Sequence, residues 1–250
     1  MNDSPRSDSP RSDSTRADPG ASLALPWGDI DTVLLDMDGT LLDLHFDARF
    51  WKEHFPKRYV ELSGLSAAEA RRRLEARFEG LKGQLAWYCL DDWHRALAPD
   101  CRDELDLVAL KRELAHHIRY RHGVPEFLER LGTTGKQRVL VTNAHPASVD
   151  LKFEHVDLPT RLDRIFNAHE IGAAKESPQF WDRLAEQLHF DPDRTLLVDD
   201  NLVALAAAGD FGIRHLRAIT RPNSRGEAMD TAPFEPLDDF LAATAVLAGR

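Results

Sequence analysis

The sequence predicts an α/β protein whose core is a Rossmann-like parallel sheet, with an all-helical cap domain inserted into it. Three observations predict this class. Short apolar runs recur along the chain, as in strands that are buried on both faces of a parallel sheet. Helical patterns separate the later runs. Residues 45–122, in contrast, carry almost no strand signal.

Four segments are predicted to be strands. The first, residues 31–36, is an apolar and partly β-branched run that Gly39 brings to an end. Similar runs follow at residues 138–142, 195–199 and 213–219. Strands that alternate with helices form right-handed βαβ units, and ligands of such sheets bind beyond the carboxyl ends of the strands. We therefore expect functional residues where these runs end.

Local signals also predict two helices of the core. Pro178 suits the first turn of a helix, and apolar residues then recur at helical spacing as far as Leu188. Asn201 suits the cap of the next helix, which is expected to include residues 204–208 and to end near Gly209.

Residues 45–122 are predicted to form about four helices that cover the catalytic edge of the sheet. Helical spacing of apolar or aromatic residues over 51–59 and 107–118, and a helix-favouring composition over 67–78, indicate them. The expected divisions are a disordered tail (1–22), a catalytic core (23–44 and 123–222), the cap (45–122) and a C-terminal segment (223–250) with a helix over 236–250 packed on the core.

Composition limits the classes of function. The chain has 250 residues and a formal net charge of −10, which argues against a protein that binds nucleic acid through a basic surface. Residues 3–18 repeat a polar five-residue unit that cannot offset the entropy of ordering, so an inert tail is favoured over a docking segment. No apolar run has the length of a membrane span and no signal peptide is evident, so we expect a cytoplasmic protein without a membrane partner. The two cysteines, Cys89 and Cys101, are expected to be reduced thiols.

The strongest chemical signal is Asp36-Met-Asp38-Gly39-Thr40, directly after the first predicted strand. Two carboxylates that face one spot repel each other, unless a divalent cation lies between them. Mg²⁺ suits this role because it prefers oxygen ligands. A carboxylate can attack phosphorus, and a second one is then free to protonate the leaving oxygen and to deprotonate water. The alternative is a turn with two solvated aspartates.

Polar residues also follow the later strands. Thr142 and Asn143 offer a hydroxyl and an amide that can hold phosphate oxygens, although such a pair is common in turns. Lys175 precedes the helix that begins at Pro178 and can neutralise a transferring phosphoryl group, although a surface lysine is the simpler interpretation. The pair Asp199-Asp200 suits a metal, and its alternative is a helix-capping cluster.

The order and spacing of these four segments resemble the haloacid dehalogenase-like hydrolase superfamily over about residues 30–220, and residues 45–122 resemble the C1-type cap of its first subclass. The resemblance implies that Asp36 is the nucleophile and a ligand of Mg²⁺. It implies that Asp38 is the acid/base and gives its main-chain carbonyl to the metal.

The same resemblance assigns the remaining strand-end residues. Many members carry another aspartate four residues after the metal-binding aspartate, and this chain has Ala204 there. Which member of the Asp199-Asp200 pair contacts the metal is therefore open; the resemblance favours Asp200, with Asp199 in the outer shell. Phosphoryl binding is assigned to Thr142, the backbone of Asn143, and Lys175.

Four segments, residues 33–44, 87–91, 135–138 and 142–146, resemble the bacterial GMP/IMP 5′-nucleotidases of the superfamily. Purine nucleoside monophosphates are therefore the leading substrates. Trp87 and Tyr88 are suited to stack a purine base, or else simply pack the helices of the cap. His145 is suited to orient substrate or water, or has no role.

The alternatives within the enzyme class are a phosphatase of a sugar phosphate or of phosphoglycolate, and a phosphomutase. Dehalogenation is disfavoured because Asp38 occupies a position that the dehalogenating relatives leave without an aspartate. A non-catalytic scaffold is the alternative from another class, and hydrolysis of an aryl phosphate with Mg²⁺ separates it from an enzyme.

Overall fold

A six-stranded, fully parallel sheet forms the centre of the computed structural model, which describes residues 25–102 and 104–247. The predicted disordered tail lies outside the described residues. The strand order is β3-β2-β1-β4-β5-β6, so the first strand is central and its neighbours on either side come from later βαβ units. The strands are β1 (Thr32–Leu35), β2 (Gln137–Thr142), β3 (Arg164–Asn167), β4 (Thr195–Asp199), β5 (His215–Ala218) and β6 (Glu235–Pro236).

Helices lie on both faces of this sheet. Val33 and Leu35 of β1 join one apolar cluster, and Leu34 joins the other, as the alternation of side chains along a strand requires. None of the described helices is both long and apolar enough to cross a membrane. The α-helices are α1 (His45–Arg49), α2 (Phe55–Ser63), α3 (Ala67–Leu81), α4 (Leu90–Leu97), α5 (Leu107–Arg112), α6 (Val124–Gly132), α7 (Pro146–Phe153), α8 (Ala168–Ile171), α9 (Pro178–Gln187), α10 (Leu202–Phe211) and α11 (Phe240–Ala243), with a π-helical turn (Phe50–His54) between α1 and α2.

The local helix signals position α9 and α10 as expected. α9 begins at Pro178. The side chain of Asn201 accepts hydrogen bonds from the backbone N–H groups of Val203 and Ala204 and so caps α10. The helix continues past Gly209 and ends at Gly212, which has the left-handed conformation typical of a helix end.

Two predicted helices are shorter than expected. The apolar stripe over residues 107–118 is buried, but α5 ends at Arg112 and a 3-10 turn carries the rest of the stripe. The helix expected over 236–250 is observed only as α11. Pro236 belongs to β6 instead, and the helix begins at Phe240, after its cap residue Asp239. α11 packs on α6 of the core.

The two ends of the segment 45–122 lie next to each other. Leu42 and Tyr120 form an isolated antiparallel bridge, and the Asp43 N–H donates to the carbonyl of Arg119. Within the described part of this segment there are helices α1–α5 and no strand. We propose that residues 45–122 form a cap domain whose two connections to the core lie side by side here.

Candidate active site

A cavity of about 370 Å³ lies at the carboxyl ends of β1, β2 and β4, between the sheet and the predicted cap. Parallel strands place their carboxyl ends at one edge of a sheet, so residues distant in sequence converge there. The structure brings together all of the predicted site residues in the lining of this cavity: Asp36, Asp38, Trp87, Tyr88, Thr142, Asn143, His145, Lys175, Asp199 and Asp200.

Lys175 lies between two of the carboxylates. Its Nζ is 2.5 Å from Asp36 Oδ1 and 2.7 Å from Asp199 Oδ2, and all three side chains are buried. Burial lowers the pKa of Lys175, but the charges of Asp199 and Asp36 more than offset this and raise it. Lys175 is therefore a fixed positive charge beside the predicted nucleophile.

Asp36, Asp199 and Asp200 form an acidic cluster in which one oxygen of each lies within 4.8 Å of the others. Burial raises the pKa of Asp36 to about 6, despite the opposing charge of Lys175. The pKa of Asp200 is raised well above its ordinary value by burial and by the charges of Asp36 and Asp199. Asp36 Oδ2 is buried without a hydrogen-bond partner. A buried carboxylate oxygen without a partner, in a set of oxygen ligands, fits a divalent cation such as Mg²⁺.

The two acids after β4 have different surroundings. Asp199 accepts from Lys175 Nζ through Oδ2 and from the backbone N–H of Asn201 through Oδ1. No hydrogen bond to the Asp200 carboxylate is found among the described residues, and that carboxylate also lines the cavity. This difference favours Asp200 as the direct metal ligand and Asp199 as the residue that positions Lys175.

Gly39 fits closely against Asp200. Its φ of +91° is a conformation that L side chains rarely adopt, and an added Cβ would lie 2.5 Å from Asp200 Oδ2. We expect Gly39→Ala to displace Asp200, to weaken Mg²⁺ binding at least about 10-fold and to destabilise the fold by about 1–2 kcal/mol. Calorimetric titration with Mg²⁺ and thermal melting measure the two effects. Gly64→Ala is the control, because Gly64 also has a positive φ but open space around it; equal metal affinities of the two variants would contradict the expectation.

Thr142 and Asn143 lie where β2 ends. Thr142 Oγ1 accepts from the N–H of Ala144. Asn143 Oδ1 accepts from the N–H of Lys175, and its Nδ2 donates to Glu176. The oxygen and the nitrogen of the Asn143 side-chain amide each have a partner in the protein, which favours the backbone of this residue as the donor to a phosphate oxygen.

Glu176 connects the two sides of the cavity, and nothing in the sequence singled it out. It accepts from Asn143 Nδ2 at 2.8 Å, from Asn201 Nδ2 at 2.8 Å and from the hydroxyl of Tyr88 at 2.6 Å. Tyr88 belongs to the predicted cap, whereas the other partners belong to the core. Tyr88 thus lines the cavity and also joins the two parts.

The other predicted specificity residues, Trp87 and His145, also line the cavity. The ring of Trp87 is 5.3 Å from that of Phe78, so it packs within the predicted cap while it also lines the cavity. His145 Nδ1 accepts from the N–H of Ala147, and its Nε2 is 3.5 Å from a carboxylate oxygen of Asp91. Packing and substrate contact are therefore compatible for both residues.

Asp38 has a partner that the sequence did not reveal. Its Oδ2 is 2.6 Å from the Nζ of Lys152, a buried lysine of α7. Burial raises the pKa of Asp38 to about 6, with a further contribution from Asp47 and an opposing one from Lys152. A carboxyl group with this pKa can both give and take a proton near neutral pH.

The sequence is similar to those of known hydrolases. A family model described as haloacid dehalogenase-like hydrolase matches residues 30–212. The GMP/IMP nucleotidase YrfG of Escherichia coli (strain K12) is 40% identical over 200 residues, which cover 80% of this chain and 87% of that protein. A phosphorylated carbohydrates phosphatase of Thermotoga maritima is 22% identical over 206 residues, covering 80% and 90% of the two chains.

Solved structures share the fold. An HAD phosphatase from Thermococcus onnurineus superposes with a TM-score of 0.70 at 22% identity, over 88% of this chain and 99% of that chain. The L-2-haloacid dehalogenase from Xanthobacter autotrophicus, with chloropropionic acid covalently bound, has a TM-score of 0.60 at 16% identity, over 88% and 99%. At these identities the similarity concerns the fold alone.

Proposed function

The chain belongs to the haloacid dehalogenase-like hydrolase family, and on this premise we propose that it is a magnesium-dependent phosphatase that takes the phosphoryl group onto Asp36. The observation that supports this most is the arrangement around Lys175, which holds Asp36 beside an acidic cluster suited to a cation. The family and its curated relatives support phosphatase activity in general, whereas the metal and the covalent step are our proposals.

In the proposed reaction each residue has a separate task. The carboxylates of Asp36 and Asp200 and the main-chain carbonyl of Asp38 would hold Mg²⁺, which would neutralise charge on the phosphate. Asp36 attacks phosphorus in line, and the bond between phosphorus and the leaving oxygen breaks as Asp38 gives that oxygen its proton. Asp38 then takes a proton from water, whose oxygen attacks the aspartyl phosphate and releases Asp36.

The other residues bind and orient the phosphoryl group. Lys175 provides a positive charge beside the nucleophile. Thr142 and the backbone of Asn143 are proposed to hold the phosphoryl oxygens at the end of β2. The cap, residues 45–122, is proposed to exclude bulk water from the cavity.

We propose purine nucleoside monophosphates, GMP and IMP, as the substrates. The 40% identity to a GMP/IMP nucleotidase over 80% of the chain supports this class. Trp87, Tyr88 and His145 line the same cavity as the acidic cluster, so that an aromatic surface lies within reach of a substrate whose phosphate is at Asp36.

A substrate screen tests the proposal. Purified protein with Mg²⁺ is assayed for phosphate release from GMP, IMP, AMP, phosphoglycolate and sugar phosphates. We expect the highest kcat/KM for GMP or IMP. A preference for sugar phosphates would favour the alternative that the carbohydrate phosphatase relative suggests, and no hydrolysis even of an aryl phosphate would favour a scaffold.

Replacement of Trp87 tests the binding of the base. We expect Trp87→Ala to raise KM for GMP about 10-fold, because a stacked base contributes about 1–3 kcal/mol. Trp87→Phe, which keeps a ring, should restore most of the affinity. KM for a small aliphatic phosphomonoester should stay within about 2-fold in both variants; an equal rise for both substrates would assign Trp87 to the packing of the cap instead.

A further inference from the structure

A row of four charged side chains, in which aspartates alternate with buried lysines, extends from the active site into the predicted cap. Asp38 Oδ2 is 2.6 Å from Lys152 Nζ, which is 2.7 Å from Asp47 Oδ2. Asp47 Oδ1 is in turn 2.5 Å from Lys111 Nζ. Both lysine side chains are only 2% exposed, and all four residues line the cavity.

The burial of two lysine side chains needs a physical reason. A charge removed from water is destabilising unless it is paired, and apolar residues of similar size often stabilise a fold equally well. Lys111 is accommodated among aromatic rings, with Nζ 4.7 Å from the centre of the Phe50 ring. Lys111 therefore has a structural explanation, whereas Lys152 also contacts the proposed acid/base.

This row of charged side chains connects the core with the predicted cap. Lys152 is on α7 of the core, Asp47 is on α1, and Lys111 is on α5. Both oxygens of the Asp47 carboxylate are engaged: Oδ1 accepts from Lys111 and Oδ2 accepts from Lys152. Lys152 is thus fixed by a residue of the predicted cap, and it fixes a residue of the catalytic loop.

We propose that Lys152 is a positioning residue for Asp38, and that Asp47 holds Lys152 in place. Lys152 binds Asp38 Oδ2, while Oδ1 has no hydrogen-bond partner within the described part of the chain and is left for proton transfer. Held through Oδ2, the carboxyl group keeps Oδ1 available for the leaving oxygen of a phosphate bound at Asp36. The inference rests on the proposed function, in which Asp38 is the acid/base.

The need for a positioned acid depends on the leaving group. The alkoxide of a nucleoside or a sugar is a poor leaving group and needs a proton from Asp38 as its bond to phosphorus breaks. A p-nitrophenolate leaves without one. Because kcat/KM reports the steps up to phosphoryl transfer, a misplaced Asp38 reduces kcat/KM for an alkyl phosphate and spares kcat/KM for p-nitrophenyl phosphate.

The experiment compares Lys152→Met with Lys111→Met in the full chain with Mg²⁺. Each variant removes a buried lysine that binds Asp47, but only Lys152 contacts Asp38. For Lys152→Met we expect kcat/KM for GMP to fall about 100-fold and kcat/KM for p-nitrophenyl phosphate to fall less than about 5-fold. For Lys111→Met the two substrates should change by the same factor. Lys152→Arg should recover part of the activity on GMP.

Equal losses for both substrates in Lys152→Met, or the same selective loss in Lys111→Met, would overturn the proposal. If Lys152→Met does not fold, as judged by circular dichroism and melting, Lys152→Gln replaces it in the same comparison. If the wild type does not hydrolyse GMP, the alkyl phosphate that it does hydrolyse takes the place of GMP. Failure of the nucleotide assignment is thus separate from failure of the role of Lys152.

Discussion

Asp36→Asn is expected to reduce kcat/KM for phosphate release by at least about 10⁴-fold, with GMP and with p-nitrophenyl phosphate alike. The amide that replaces the carboxylate is a poor nucleophile for phosphorus. The substitution also removes one carboxylate from the acidic cluster and one of the two carboxylate partners of Lys175. A variant that keeps more than about a tenth of the wild-type activity would contradict a covalent role for this residue.

Trapping the intermediate separates a nucleophile from a residue that only binds metal. Wild-type protein that is quenched in acid during turnover of radiolabelled substrate should carry the label on the peptide that contains residue 36, in a bond that hydroxylamine cleaves. Asp36→Asn should carry none. Label on another peptide would move the nucleophile elsewhere in the cavity.

Asp43→Asn is the matched control for loss of a buried aspartate near the same loop. Asp43 is bound by Arg119 and by Ser224, and its pKa is lowered to about 2 by those hydrogen bonds, which outweigh the effect of burial. We expect this variant to lose about 1–3 kcal/mol of stability and to keep the ability to form the labelled intermediate.

The parts of the fold that could be predicted are those with a local cause. β1 and β4 are buried along their whole length and are mostly apolar, because both faces of a central parallel strand are covered. β3 was missed because it is an edge strand, whose first two residues, Arg164 and Ile165, are exposed and so leave no apolar run. The split of the helix expected over 107–118 has a different origin: an apolar stripe indicates which residues are buried but not whether the helix is continuous.

The site divides in a similar way. The acids and the lysine at strand ends could be predicted because the topology brings strand ends to one edge. Asp47 and Lys152 are 105 residues apart, and Glu176 gains its partner Tyr88 only when the predicted cap is folded over the core. A lysine on a helix is most often a surface residue, so no sequence signal distinguishes the buried Lys152 from an exposed one.

The strongest dependence of stability on pH and metal is expected from the acidic cluster and the neighbouring Asp38. The pKa of Asp36 and that of Asp38 are raised from 3.8 to about 6, mainly by burial. Each group therefore contributes stability that is complete below about pH 4 and is lost as the pH rises through 6. Between pH 5 and pH 7.5 the loss is about 1–2 kcal/mol for each group, or about 5–10 °C in Tm together. Mg²⁺ should accordingly raise Tm more at pH 7.5 than at pH 5.

A buried histidine changes stability with pH in the opposite sense. Burial lowers the pKa of His169, so its contribution favours the folded state at higher pH. The decisive quantity is therefore the difference between wild type and Asp200→Asn. Without metal the variant should melt at a higher temperature than wild type at pH 7.5, because it lacks the Asp200 carboxylate, whose ionised form is disfavoured by burial and by the charges of Asp36 and Asp199. The two should converge at pH 5, and the variant should lose most of its stabilisation by Mg²⁺. Two outcomes would contradict this expectation. If the variant is less stable than wild type without metal at pH 7.5, the Asp200 carboxylate does not destabilise the metal-free fold. If Mg²⁺ stabilises the variant as strongly as wild type, Asp200 is not a ligand of the metal.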